Sequence, residues 1–155
     1  MAYELLSRIN ITNGTFGSRS STGRHFFEAK VSVVNAQITL LVADRNPHVR
    51  EFLKRELQAN GCQVQLASTG QEMMQRIQTV LPDILILDPD MPDVTDISLI
   101  RYIHHTYPQM PVVVHSLLTE VIHQLDASCP VVFVEKRGNS IDHLKHAIKD
   151  ILKTE

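Results

Sequence analysis

The stretch Pro82-Asp83-Ile84-Leu85-Ile86-Leu87-Asp88-Pro89-Asp90-Met91-Pro92 constrains the fold more than any other. Four consecutive aliphatic residues between two aspartates read as a strand buried on both faces, because a half-wet strand alternates polar and apolar side chains. Asp88 stands where that strand stops. Pro89 and Pro92 forbid further ladder pairing, and in an open parallel sheet the carboxyl ends of the strands are where ligands bind. Asp88 is thus placed either for chemistry or as the cap of a turn, a common task for aspartate, and this strand alone does not separate the two.

The same grammar repeats from Gln37 onward. Ile38 to Ala43 is a buried-strand run ending at Asp44, and Asn46-Pro47 supplies an N-cap and first-turn proline for a helix with Val49, Phe52, Leu53 and Leu57 on one face. Asn60-Gly61 stops it. Val64 and Leu66 mark a second strand, and Thr69-Gly70-Gln71-Glu72 is a capping box opening a helix whose buried stripe is expected to be Met73, Ile77, Val80 and Leu81. The Pro82–Pro92 strand comes third, followed by Thr95 or Asp96 as cap and by Leu99, Ile100 and Ile103 as a helical stripe ending near Tyr107-Pro108. Pro111 to Ser116 is a fourth buried strand, and a short helix around Val121, Ile122 and Leu125 leads to a fifth, Pro130 to Val134, with Glu135-Lys136 at its end. Ser140 is expected to cap a last helix carrying Ile141, Leu144, Ile148 and Ile151. Strands alternating with helices mean a parallel sheet with right-handed crossovers and helices on both faces, a doubly wound α/β domain.

Residues 1–36 read differently. Ala2, Leu5, Leu6 and Ile9 fall at helical spacing, nine of the twelve residues from Asn13 to Arg24 are Gly, Ser, Thr or Asn, and Phe26, Phe27, Val31, Val33 and Val34 form an apolar patch without a clear period. The expected organisation is an N-terminal extension with a flexible linker over 1–36 and one domain over 37–155. Arg8, Arg19, Arg24 and Lys30 against Glu4 and Glu28 leave the extension at +2, and the whole chain carries −2, which argues against a dedicated nucleic-acid binder. No apolar run is long enough to span a bilayer and no signal-peptide pattern opens the chain, so a cytoplasmic location off the membrane is expected. Cys62 and Cys129 show neither metal spacing nor a disulfide framework.

Parallel strands bring their carboxyl ends to one edge, so Asp44, Asp88, Ser116 and Lys136 converge there. Carboxylate oxygens suit Mg²⁺, while a lysine and a hydroxyl both bind phosphoryl oxygens, a set fitted to phosphoryl transfer onto a carboxylate. With Val42 to Arg50, Pro82 to Pro92, Val112 to Ser116 and Phe133 to Lys136 in this order, residues 37–153 resemble the receiver domain of two-component response regulators. The resemblance implies a flavodoxin-like (βα)5 fold with a five-stranded parallel sheet in the order 2-1-3-4-5. It implies Asp88 as the phosphoacceptor, fed by a histidine kinase or phosphotransfer protein, in an acceptor rather than an enzyme. Asp44, Asp88 and the backbone carbonyl of Asp90 match the family's Mg²⁺ contacts, Ser116 matches the hydroxyl that bonds the phosphoryl group, and Lys136 its lysine partner. Phe133 matches the aromatic that swings with Ser116 when the switch is thrown. The signal would leave by contact with a downstream protein or a second copy, at a face formed by the fourth helix and fifth strand. A stand-alone receiver is expected.

Three residues depart from the family pattern. Arg45 replaces a second acid after the first strand, Asp93 replaces a common glycine, and Arg137 replaces a proline. An arginine cannot ligate Mg²⁺, so either Asp44 and Asp88 suffice with phosphate and water, or the guanidinium pairs with Asp88 in place of the metal, or it points to solvent. The alternative function is a phosphorylation-independent pseudo-receiver that acts only by binding. A flavin- or nucleotide-binding enzyme on the same fold lacks support, since no glycine-rich phosphate loop follows the first strand. His104, His105, His143 and His146 read as solvated helix surface, and His115 as a residue at the edge of the core.

Overall fold

The computed structural model describes residues 37–125 and 129–153; the expectations for the N-terminal extension lie outside them. Five strands, Thr39–Ala43 (β1), Gln63–Ala67 (β2), Ile84–Leu87 (β3), Val112–Ser116 (β4) and Val132–Glu135 (β5), alternate with helices Pro47–Gln58 (α1), Gly70–Thr79 (α2), Ser98–Thr106 (α3), Glu120–Gln124 (α4) and Ser140–Lys153 (α5). The strands form one parallel sheet in the order β2-β1-β3-β4-β5, as expected.

Alternation along the strands divides the core into two layers. Leu41, Ala43, Leu85, Leu87, Val112 and Val114 face one side with Met73 and Ile77 of α2 and Ile100 and Ile103 of α3. Leu40, Val42, Ile84, Ile86 and Val113 face the other with Leu53 and Leu57 of α1 and Leu144 and Ile148 of α5. All four residues of β3 are buried, because the sheet covers that strand at both edges and helices cover it on both faces.

The helix starts follow the sequence closely. Asn46 Oδ1 accepts the His48 amide at 2.9 Å with Pro47 in the first turn of α1. Thr69 Oγ1 accepts the Glu72 amide at 3.1 Å, while the Glu72 carboxylate turns back to the amide and hydroxyl of Ser68 rather than to Thr69 itself. That Ser68 amide, with Arg76 on the other oxygen, holds the Glu72 carboxyl down at about 2. Gly61 leaves α1 at φ +84°, a conformation that favours glycine.

Four expectations are corrected. Val80 and Leu81 are 54% and 51% exposed, because α2 ends at Thr79 and Val80 is already extended, which breaks the 3.6-residue phase that would have buried them. Phe52 is exposed, with the Arg55 guanidinium 5.5 Å above its ring. Ser140 is the first residue of α5 rather than its cap, and the Asn139 carbonyl accepts the Asp142 and His143 amides. At α3, Asp96 rather than Thr95 accepts the Ser98 amide, at 2.7 Å, but the capping position itself falls on Ile97. Among the described residues no helix is long and apolar enough to cross a membrane.

Candidate functional site

Asp44, Asp88 and Lys136 are the first residues past β1, β3 and β5, and Ser116 is the last of β4. The sheet's hydrogen-bond ladder runs one residue further and pins them: the Asp44 amide donates to the Ala67 carbonyl (3.1 Å), Asp88 to Ala43 (2.8 Å) and Lys136 to Ser116 (3.0 Å). Asp44 and Asp88 are 2% and 7% exposed and Ser116 is buried, so two carboxylates and a hydroxyl sit out of water at the sheet's carboxyl edge.

The Lys136 ammonium joins them. Its Nζ donates to Asp44 Oδ2 at 2.5 Å and to Asp88 Oδ2, with only 14% of the side chain exposed. The Asp90 amide (3.0 Å) and the Ser116 hydroxyl (3.2 Å) donate to Asp88 Oδ1, and the Asn46 amide donates to Asp44 Oδ1 at 2.8 Å. Two residues past Ser116, the Leu118 amide donates to the Ser116 hydroxyl oxygen at 3.1 Å. Hydrogen bonds thus run from Asp88 through Ser116 to the backbone of Leu117–Leu118, whose side chains are exposed. Phe133 on β5 is half-buried and packs against the core layer that contains Val114.

Arg45 does not pair with Asp88, as one reading of the sequence had it. Its Nη2 lies 3.0 Å from Asp90 Oδ2 across the mouth of the site, with 61% and 46% of the two side chains exposed. Arg50 Nη1, from α1, donates to the carbonyls of Asp44 (2.7 Å) and Arg45 (3.0 Å) and so holds the loop that carries both residues.

Mg²⁺ takes oxygen ligands in open, hydrated geometry. Here all four carboxylate oxygens of Asp44 and Asp88 already accept hydrogen bonds, two of them from one ammonium, and the Asp90 carboxylate faces Arg45. No group of three His, Cys, Asp or Glu side chains among the described residues is arranged to hold a metal ion. The residues as they stand do not fit a divalent cation: an ammonium bridges the two carboxylates that the sequence suggested for it, and a guanidinium faces the Asp90 side chain beside them.

Sequence reasoning flagged Asp93 but missed its task. Its carboxylate accepts the Gly70 and Gln71 amides at 2.7 and 2.8 Å, clamping the loop after β3 onto the first turn of α2. Those two amides, Gly70 first, hold the Asp93 carboxyl below its ordinary range. The fit is close, since a Cβ on Gly70 would lie 2.9 Å from Val94 Cγ2 and 3.3 Å from Asp93 Oδ1. Asp93→Ala is expected to cost about 1 kcal/mol in urea unfolding, the usual worth of an N-terminal helix cap. A change below a few tenths would show the clamp to be idle.

His115 is buried, and neither ring nitrogen has a hydrogen-bond partner among the described residues. Burial pushes its imidazole from the ordinary 6.5 down to about 4, with the Lys136 charge acting in the same sense against Asp44 and Asp88. His105, His143 and His146 lie on exposed helix surface, as expected, whereas His104 is half-buried. Cys62 and Cys129 are not joined in a disulfide, and burial raises the Cys62 thiol above its usual value.

Known proteins share this fold. A family model described as the response regulator receiver domain matches residues 40–149. Response regulator MprA of Mycobacterium ulcerans (strain Agy99) is 34% identical over 93 residues, 58% of this chain and 40% of MprA, and MprA of Mycobacterium avium (strain 104) is 35% identical over 91 residues, 57% and 40%. The match therefore spans 40% of the length of these curated relatives. Among solved structures, response regulator protein TrrA from Thermotoga maritima, in complex with Mg(2+)-BeF, superposes with a TM-score of 0.68 at 26% identity, covering 74% of this chain and 99% of TrrA. A two-component response regulator from Clostridium difficile gives 0.69 at 22% identity, covering 76% and 97%, a likeness of fold.

Proposed function

Because the chain belongs to the response regulator receiver domain family, we propose that it works in two-component phosphorelay signalling by accepting a phosphoryl group on Asp88 from a histidine kinase or phosphotransfer protein. The observation that carries this reading is the convergence of Lys136, Ser116 and the Asp90 amide on the buried Asp88 carboxylate.

The donor atoms surround the nucleophile before any phosphoryl group arrives. In transfer from acetyl phosphate, an Asp88 carboxylate oxygen attacks phosphorus, the bond from phosphorus to the acetyl oxygen breaks, and acetate leaves. The product is an acyl phosphate with about one more negative charge than the carboxylate it replaces and with new acceptor oxygens. Lys136 Nζ and Ser116 Oγ, already on Asp88, are the groups that follow those oxygens. As Ser116 moves, it draws the Leu118 amide with it and repositions the exposed Leu117 and Leu118 side chains, beside which a downstream protein or a second copy reads the state.

Intact-mass measurement after exposure to acetyl phosphate in Mg²⁺-containing buffer tests the reading. Wild type is expected to gain one phosphoryl mass and Asp88→Asn none. Equal labelling of both proteins would place the acceptor elsewhere. No labelling of either would favour a module that binds partners independently of phosphate.

A further inference from the structure

We infer that the Arg45 guanidinium supplies the positive charge that holds the incoming phosphoryl group in this pocket, so that phosphorylation of Asp88 does not depend on a divalent cation. The inference rests on Asp88 as phosphoacceptor and concerns what recognises the donor.

Formal charges give the first argument. Asp44, Asp88 and Asp90 are faced by Lys136 and Arg45, and the Arg50 guanidinium lies on the Asp44 and Arg45 carbonyls, so the formal charges sum to about zero before any metal is considered. Little Coulomb attraction remains for a dication, and the carboxylate oxygens it would need are engaged. An approaching phosphoryl dianion meets Arg45 first, since the guanidinium stands at the mouth with most of its side chain in solvent.

Availability is the second argument. An exposed ion pair contributes little to stability, so the Arg45–Asp90 contact is readily exchanged. A guanidinium offers a planar fork of donors matched to phosphoryl oxygens, and the match gains strength where one side is dianionic. Arg50 makes the third argument. By bonding to the carbonyls of Asp44 and Arg45 it fixes the peptide from which the guanidinium projects, while Asp44 is pinned to Ala67. The arginine is therefore anchored at its backbone and loose at its tip, as a residue that must release one anion and take another requires.

The transfer remains balanced without a further reactant. Acetyl phosphate enters with its phosphoryl oxygens on Arg45, one Asp88–phosphorus bond forms as the acetyl oxygen–phosphorus bond breaks, and acetate departs with the electron pair. The Asp90 carboxylate is then left to solvent.

Labelling by acetyl phosphate, followed by intact mass, is to be run in EDTA and across a Mg²⁺ series for wild type, Arg45→Asp and Arg45→Gln. Binding of beryllium fluoride, a phosphoryl analogue, is followed in parallel by ¹⁹F NMR. Arg45→Asp shifts the local charge by about two units, the charge of one Mg²⁺. Wild type is expected to label, and to bind beryllium fluoride, about equally in EDTA and in Mg²⁺. Both variants are expected to lose about tenfold or more of their labelling in EDTA, the usual consequence of removing a donor from a developing anion, and Arg45→Asp to regain it with Mg²⁺. The neutral Arg45→Gln guards against a folding defect in Arg45→Asp. Wild type that labels only with Mg²⁺, or variants that label in EDTA as wild type does, would overturn the role of Arg45 while leaving Asp88 as acceptor. Failure of wild type to label under any condition, with Arg45→Asp labelling in Mg²⁺, would overturn it too. If none of the three labels, the phosphoacceptor reading falls with it.

Discussion

Lys136→Met is expected to lower folding stability by about 3 kcal/mol, the loss typical when one member of a buried charge cluster is removed and its partners are left uncompensated. Methionine keeps the length and most of the volume of the lysine stem, so the cost isolates the ammonium. Two carboxylates that are almost wholly buried would face one another with only the Asn46 and Asp90 amides and the Ser116 hydroxyl as donors. Urea unfolding measures the change, and a second substitution assigns it. In the Lys136→Met background, Asp88→Asn removes one of the two stranded charges and is expected to recover more than half of the loss, whereas interactions between distant sites simply add. A Lys136→Met midpoint within about 0.5 kcal/mol of wild type would mean that the loops after β1, β3 and β5 are held by something other than this ion cluster.

His115→Leu is expected to act in the opposite direction. At pH 7 the neutral ring buries two nitrogens with no partner among the described residues, and relieving such a burden is worth about 1–3 kcal/mol. The variant should therefore be more stable than wild type. The second signature is its pH profile. His115 titrates at about 4 in the fold against 6.5 when unfolded, so the unfolded chain binds the proton more readily throughout that interval. Its contribution to stability is intact above pH 6.5 and is lost as pH falls toward 4, by on the order of 3 kcal/mol in total. Leucine cannot titrate. The gap between variant and wild type should widen on acidification over that window, and a gap independent of pH would show that the ring is hydrated or partnered in solution.

The site was legible to the extent that it is a property of strand ends. Asp44, Asp88, Ser116 and Lys136 each follow or close an apolar run, and a parallel sheet puts such positions on one edge whatever the loops do. The residues that were missed act between loops. Nothing near Asp93 in sequence announces that its carboxylate will meet Gly70 and Gln71 more than twenty positions earlier, and the grip of Arg50 on two carbonyls leaves no side-chain pattern to read. The partner of Arg45 was likewise open until the β3–α3 loop had a position, because Asp88 and Asp90 are both aspartates two residues apart. Val80 and Leu81 failed for a local reason: apolar periodicity carries no marker for the residue at which α2 stops.

The clamp between Asp93 and the first turn of α2 also links two positions in descent. With Asp93 and Val94 where they are, position 70 has no room for a side chain, and a substitution there would be admitted only together with a retreat of the loop. Conversely, a lineage that replaced Asp93 with glycine would give up both carboxylate bonds and free one of the contacts at position 70, leaving that with Val94. Drift at either site is thereby conditioned on the other, and in chains descended from this one the pair is expected to change jointly or to stay.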